Sequence, residues 1–368
     1  MLRIYRFGLG FVSAGLLLAL LAALPPVASA QKTPAKSAPA QPVPAQLAAA
    51  PAALPGHGPM IGTLDFYGLH KVTEARVRQA LGVREGSPLP ASKGDVEERL
   101  DSIPGVVESH LEAVCCDNGK ITLYVGIEER GAPHFELREV PDGDAALPSE
   151  IDGAYRRFLD AYAAAARQGY TKEDLTKGYA RSEDPNTRAI QDMFPSLVAD
   201  HLAELRATLR SSADEEQRAT AAYVIGYAAD PKSVLNDLQY ALRDADQGVR
   251  VNAARSLIAF AGAGIKVEPT WFIEMLNSLS WTDRTRALAA LQILTDSRNQ
   301  IVLDHLRDRA LPSLVEMARW KTLAHALPAY VLLGRITGKS EKEIQDAWSR
   351  GDRESIIAEA VKLEKPEK

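Results

Sequence analysis

Several kinds of chemistry are missing from this chain, and their absence narrows what it can be. The seven histidines, His57, His70, His110, His134, His201, His305 and His325, include no His-Glu-x-x-His pair. A helical zinc site needs that spacing to bring two imidazoles onto one face. The only two cysteines adjoin each other and so form no spaced cysteine pair of the zinc-finger kind. No serine sits in a Gly-x-Ser-x-Gly elbow, the turn that exposes a hydrolase nucleophile. Acidic pairs such as Glu128-Glu129 and Asp244/Asp246 fall where strands and helices end, positions that solvated carboxylates fill for structural reasons. No catalytic residue, metal ion or cofactor is therefore expected. Basic runs interleaved with aromatics are absent too, and 43 Lys and Arg face 48 Asp and Glu, which excludes the basic face that nucleic acid requires.

Long apolar runs are confined to the N-terminus. Arg3 and Arg6 precede an apolar stretch from Phe7 to Leu24, and Ala28-Ser29-Ala30 supplies small residues for cleavage. Residues 1–30 read as an export signal with Gln31 as the mature start, a retained anchor being the competing reading. Loss of Arg3 and Arg6 takes the formal net charge from −5 to −7. No later stretch is long enough to cross a bilayer, so the mature chain is expected in the periplasm or secreted, without a membrane span.

Residues 31–59 are dominated by Ala, Pro, Gln and Ser and lack aromatics. Such a segment buries too little to offset its ordering entropy and is expected to be a linker. The glycine-rich Gly56-His57-Gly58-Pro59 precedes a strand where a dinucleotide loop would follow one, so no phosphate site is expected.

From residue 60 to 131 the periodicity predicts strand, helix, helix, strand, strand. Ile61 to Tyr67 is rich in β-formers, Val72 to Leu81 is helical with Thr73 as N-cap and Gly82 as stop, and Val96, Leu100 and Ile103 mark a second helix ended by Pro104-Gly105. Val107 to Ala113 and Ile121 to Ile127 alternate about a Gly-containing turn, predicting a hairpin with one buried face. Specific residues carry a family likeness: Phe66-Tyr67-Gly68-Leu69, Val72-Thr73-Glu74, Glu85-Gly86-Ser87-Pro88-Leu89, Glu98-Arg99-Leu100, Ile103-Pro104-Gly105-Val106 and Glu128-Glu129-Arg130. In this order they resemble the POTRA domain of outer-membrane barrel-assembly factors and two-partner secretion transporters. The resemblance implies a protein-binding module whose strand from Val106 lies at the sheet edge. An added partner strand would pair there, with Glu108, His110 and Glu112 facing outward to set its charge; the alternative reading is that Glu108 and Glu112 serve only to guard the edge against aggregation.

The segment 132–147, rich in Pro, Gly and Asp, is expected to be a hinge or a short extension connecting the two units. Beyond it the pattern is helical, with 148–199 leading into repeats over 200–338 and a helical cap over 339–368. Asp214 to Ala222 is echoed by Asp246 to Ala254 thirty-two residues later, and Arg286-Ala-Leu-Ala289-Ala290 and His325-Ala-Leu-Pro328-Ala329 continue the series. Helix pairs at this period indicate a solenoid, and the pattern resembles HEAT repeats, including the HEAT-like kind found in phycobilisome lyases. Asp214 and Asp246 are expected to open the second helices and to pair with Arg218 and Arg250. Asp283 and Arg286 take those places in the third repeat.

The adjoining Cys115 and Cys116 admit three readings: packing residues kept reduced, a vicinal disulfide, or a link to another chain. The fold class expected is thus multidomain, a small βααββ α+β unit followed by an all-α solenoid. The function expected is a non-enzymatic scaffold binding protein partners in the bacterial envelope. An enzyme or chaperone-like factor using the solenoid groove is the alternative.

Overall fold

The computed structural model describes residues 59–363 apart from Asn118 and Thr176; the expected signal and nearly all of the expected linker lie outside them. The α+β unit comprises β1 (Ile61–Tyr67), α1 (Glu74–Leu81), α2 (Lys93–Asp101), β2 (Val106–Asp117) and β3 (Lys120–Glu129). Its sheet order is β1-β3-β2, with β1 parallel and β2 antiparallel to the central β3. β2 is thus at an edge.

Each element has a local cause. Gly82 takes a left-handed conformation (φ 72°) and closes α1 by donating to Arg78 O, a position where a Cβ is strained. Thr73 stands at the N-cap of α1 without a side-chain hydrogen bond, whereas Ser92 caps α2 by accepting from Asp95 N. At the end of β3 the Glu129 carboxylate accepts from the amides of His70, Lys71 and Val72. It ties the loop after β1 to the opposite end of the chain's hairpin.

The expectation of one buried face is corrected here. Leu123, Val125 and Ile127 join Ile61, Leu64, Val77 and Leu100 in a core beneath α1 and α2. Tyr67, Val114 and Tyr124, pointing the other way, belong to the core of the solenoid. The sheet is the middle of three layers. Alternation misled because Thr122, Tyr124 and Gly126, which read as a solvent face, meet another part of the protein.

The solenoid begins with α3 (Ser149–Arg167), a two-strand hairpin of β4 (Glu173–Asp174) and β5 (Arg181–Ser182), and α4 (Pro185–Gln191). Four helix pairs follow: α5 (Phe194–Ser211) with α6 (Glu215–Ile225), α7 (Leu235–Ala241) with α8 (Gln247–Gly262), α9 (Thr270–Met275) with α10 (Trp281–Leu294), and α11 (Gln300–Ala318) with α12 (Leu323–Ile336). The second helices α6, α8, α10 and α12 pack in series. The end is closed by α13 (Glu341–Ser349), opened by the Ser340/Glu343 capping box, and by α14 (Arg353–Val361).

The N-caps of the second helices are Asp214, Asp246, Ser280 and Thr322. Counted from them, the third-repeat equivalent of Arg218 and Arg250 is Arg284, four residues in, so the assignment to Arg286 is corrected by two positions. Arg218 and Arg250 do not pair with their own caps either. Arg218 bonds Asp244 of the next repeat in a two-point contact (both 3.0 Å), and Arg250 bonds Asp283 of the next (2.9 and 3.1 Å). Asp214 and Asp246 spend their oxygens on helix amides. Geometry decides this: a cap carboxylate accepting from N2 or N3 points along its own helix axis, while an arginine one turn in reaches sideways to the neighbouring repeat.

Residues 132–147 form a strap and not a hinge. Phe135 and Leu147 are buried, Arg138 N donates to Arg243 O, the Arg138 guanidinium lies 3.1 Å from the Tyr240 ring centroid, and Ala213 N donates to Gly143 O. A segment whose amides and apolar side chains are used this way cannot swing freely.

Both members of the Arg250–Asp283 pair are at most 5% exposed, and removing one partner of such a pair strands the other charge. Asp283→Ala should therefore cost about 3–5 kcal/mol in chemical denaturation, and the double variant Arg250→Met/Asp283→Leu should recover most of it. A loss below about 1 kcal/mol for the single variant would contradict the inter-repeat pairing.

Candidate interaction surfaces

The first surface is the one the molecule uses internally, where the sheet meets the third and fourth repeats. Glu112 on β2 accepts from Ser280 Oγ (2.6 Å), Thr282 N (3.1 Å), Thr282 Oγ1 (2.6 Å) and Gln247 Nε2 (3.0 Å). Its carboxylate thus sits at the N-terminus of α10, where the helix dipole and free amides favour an anion. Ser280 holds the cap position that Asp214 and Asp246 fill in the earlier repeats, so the acid absent from this repeat arrives from the sheet. Burial alone would push the Glu112 carboxyl up, but the hydrogen bond and charge of His110, with donation from Ser280 and Thr282, hold it at about 2.

Aromatic packing surrounds this contact. Tyr124 stacks on Trp281 at 4.9 Å, meets Trp320 at 4.9 Å, and shares a 2.6 Å hydrogen bond with His325 Nδ1. Tyr67 Oη donates to Leu279 O (2.8 Å), and the Arg284 guanidinium lies 4.5 Å from the Tyr67 ring centroid. Burial raises the phenol pKa of both tyrosines. Gly126 is required by this approach: a Cβ there would stand 2.5 Å from Leu279 O and 2.7 Å from the Tyr67 ring. Farther along, Glu316 accepts from Gly68 N, and Lys321 N donates to Asp65 while its Nζ donates to Leu64 O.

This arrangement changes the reading of the β2 edge. Val107 and Glu108 are exposed, as an accepting edge needs. Leu111 N, however, donates to Glu97 Oε1 of α2 (2.8 Å), and Ser109 Oγ donates to Glu97 O. The expectation that Glu112 faces an added strand is overturned, since its oxygens are taken by the solenoid. His110 is half-buried between Glu97 and Glu112, and Val106 is buried. Cys115 is exposed and disulfide-bonded; the side chain of Cys116 lies outside the described residues.

The second surface is the inner face of the second helices. Six and nine residues beyond the N-caps, one side of α6, α8 and α10 carries Thr220 and Tyr223, Asn252 and Arg255, then Arg286 and Ala289. Residues three apart share a helix face, so these form one strip. α3 lies against its beginning, with Tyr155 5.1 Å and Phe158 4.7 Å from Tyr223, and Asn252 Nδ2 donating to Tyr155 Oη. The β4–β5 hairpin covers the middle. There Glu173 pairs with Arg255, whose guanidinium also lies 4.7 Å from the Tyr223 ring, and Ala180 O accepts from Tyr227 Oη and Arg255. Burial works against the Arg255 charge, but Glu173 and the two tyrosines raise its pKa well above the ordinary value.

Arg286 is next along the strip and differs from every other arginine of the array. It is 5% exposed, yet it makes no hydrogen bond or ion pair with the described residues, and its Nε is sealed off without a partner. Burial pulls its pKa down, opposed by Glu173 and reinforced by Arg255. No group of three or more His, Cys, Asp or Glu among the described residues is placed to hold a metal ion, and no helix among them is long and apolar enough to cross a membrane.

Sequence reading missed Arg284, Asp244, Glu173 and Arg255. A signal for the register was present: Ser212-x-Asp214, Asp244-x-Asp246 and Ser278-x-Ser280 each place an acceptor two residues before the cap, and each accepts from the cap amide.

The family model for HEAT repeats matches residues 202–292, a span that contains both buried arginine–aspartate pairs and Arg286. No curated protein matches the chain.

The depressed carboxyl of Glu112 makes the docking pH-dependent with a definite sign. Unfolded, it titrates near the ordinary 4.5; folded, near 2. Its contribution, on the order of 3 kcal/mol, is present above the unfolded value and lost as pH falls from 4.5 toward 2. Glu112→Gln should be the less stable protein at neutral pH, and its deficit against the native chain should shrink across that acidic window. A deficit constant with pH contradicts the assignment.

Proposed function

We propose that this protein is a non-enzymatic adaptor of the bacterial envelope, exported by residues 1–30 and binding protein partners on the inner face of its solenoid. The observation that carries this reading is that sheet and repeats share one buried core, in which Tyr67 and Tyr124 belong to the solenoid's cluster. The sheet is thus packed into the array, while the strip carries at Arg286 a charge without an ion-pair partner among the described residues. HEAT repeats are commonly protein-interaction scaffolds, and the repeat match supports that role. The βααββ order and the β1-β3-β2 pairing support the POTRA-like reading of residues 60–131, and with it an envelope setting. The leader, Ala/Pro-rich linker and absence of a later apolar span support export.

A POTRA-like unit docked in this way acts as a brace. Its strand edge, partly closed by Glu97, is the lesser surface, and the solenoid is the greater one.

Photo-crosslinking in living cells tests this directly. A crosslinking residue at Tyr162, partly exposed on α3 and within electrostatic reach of Arg255 and Arg286, should capture one discrete envelope protein, whereas the same residue at Ile301, 79% exposed on α11, should capture none. Equal capture from both positions, or none from either, contradicts the proposal.

A further inference from the structure

A buried guanidinium without a counter-ion is an unusual thing for a fold to retain, because the charge has lost its water and gained nothing in return. Arg286 is in that state among the described residues, while other buried arginines of the array show what completes such a group. Arg218 has Asp244, Arg250 has Asp283, and Arg255 has Glu173. In each case the partner is a carboxylate. Tyr162 on α3 lies within electrostatic reach of Arg286, Arg255 and Glu173, and its hydroxyl has no hydrogen-bond partner among the described residues. Neither the Tyr162 hydroxyl nor the Arg286 Nη atoms are among the polar atoms sealed off without a partner, so they keep some access to solvent while Nε does not.

We propose that Arg286, with the Tyr162 hydroxyl within its electrostatic reach, is a binding site for a carboxylate. The charges nearby select a monoanion. Arg255 is already neutralised by Glu173, which leaves one net positive charge, and the Glu173 carboxylate repels a phosphate dianion more strongly than a single carboxylate. Geometry favours a planar acceptor, since a guanidinium presents its donors as a fork that matches two carboxylate oxygens. The source is either a small free carboxylate or the acidic side chain of a partner segment lying on the inner face. Only the second source rests on the adaptor reading; the site itself does not.

The test uses the purified full chain and acetate, titrated against chloride at constant ionic strength and neutral pH. Acetate should shift the Arg286 Nε–H NMR resonance saturably and raise Tm with the logarithm of its concentration. Arg286→Met keeps the aliphatic stem and removes the charge, so it should have a higher Tm than the native chain without acetate and no response to it. Glu173→Gln, which leaves Arg255 unpaired, should bind acetate more tightly. An absent or unsaturable shift in the native chain overturns the proposal, as does an Arg286→Met variant that responds like the native one or is less stable without acetate. If Arg286→Met fails to fold, the native-chain NMR titration decides alone. A blocked Ala-Glu-Ala peptide distinguishes the sources. Binding tighter than acetate supports a partner's acidic side chain; exclusion of the peptide with acetate bound overturns that source and retains a site for small carboxylates.

Discussion

The Glu112 carboxylate at the N-terminus of α10 is the contact on which the rest of the architecture depends. It is a charge from one unit placed where another unit has free amides and a favourable dipole, and four donors hold it there. Around it, Tyr67, Tyr124, Trp281 and Trp320 remove a large aromatic area from water, and such groups contribute about 1.5–3 kcal/mol each when fully buried. The carboxylate sets the register; the aromatics supply most of the attraction. Gly126 permits both by letting the sheet backbone approach Leu279.

The repeats show why docking occurs at that point of the array. Between the first three second helices, the arginine four residues past each N-cap is answered by an aspartate from the following repeat. The series stops at Arg284, whose nearest acid, Glu316, is 3.8 Å away and also accepts from Gly68 and Leu69 of the sheet. The α+β unit therefore binds where the repeat-to-repeat pairing ends, and Tyr67 covers the arginine left over. Drift in the third and fourth repeats is the imprint of this interface, which a repeat stacked only on its like would not need.

Much of the layout could be read from residue pattern alone. The order of strands and helices, the solenoid and the Ser340/Glu343 capping box follow from local periodicity and capping chemistry, and the edge position of β2 is what the POTRA resemblance implies. What could not be read is what depends on long-range contact. Thr122 and Tyr124 alternate with apolar residues as a wet face does, and only the solenoid above them shows otherwise. Asp214 and Arg218 are four apart and look like a pair on one helix; the choice between that pairing and Asp244 is made by packing between repeats. The 132–147 strap has a loop's composition, because its burial comes from Phe135 and Leu147 settling on the array. The strip with Arg255 and Arg286 was hidden by a register error of two residues and by Glu173 lying in a short hairpin.

These contacts make one claim about the molecule as a whole, that the α+β unit and the repeats open together. Native-state hydrogen exchange measures this at single amides. The account predicts that Tyr124 and Val125 in the centre of β3 and Leu288 in α10 exchange with the same opening free energy and the same denaturant dependence. If the β3 amides exchange through a smaller opening, leaving α10 protected, the sheet is an independently unfolding attachment and the claim is contradicted.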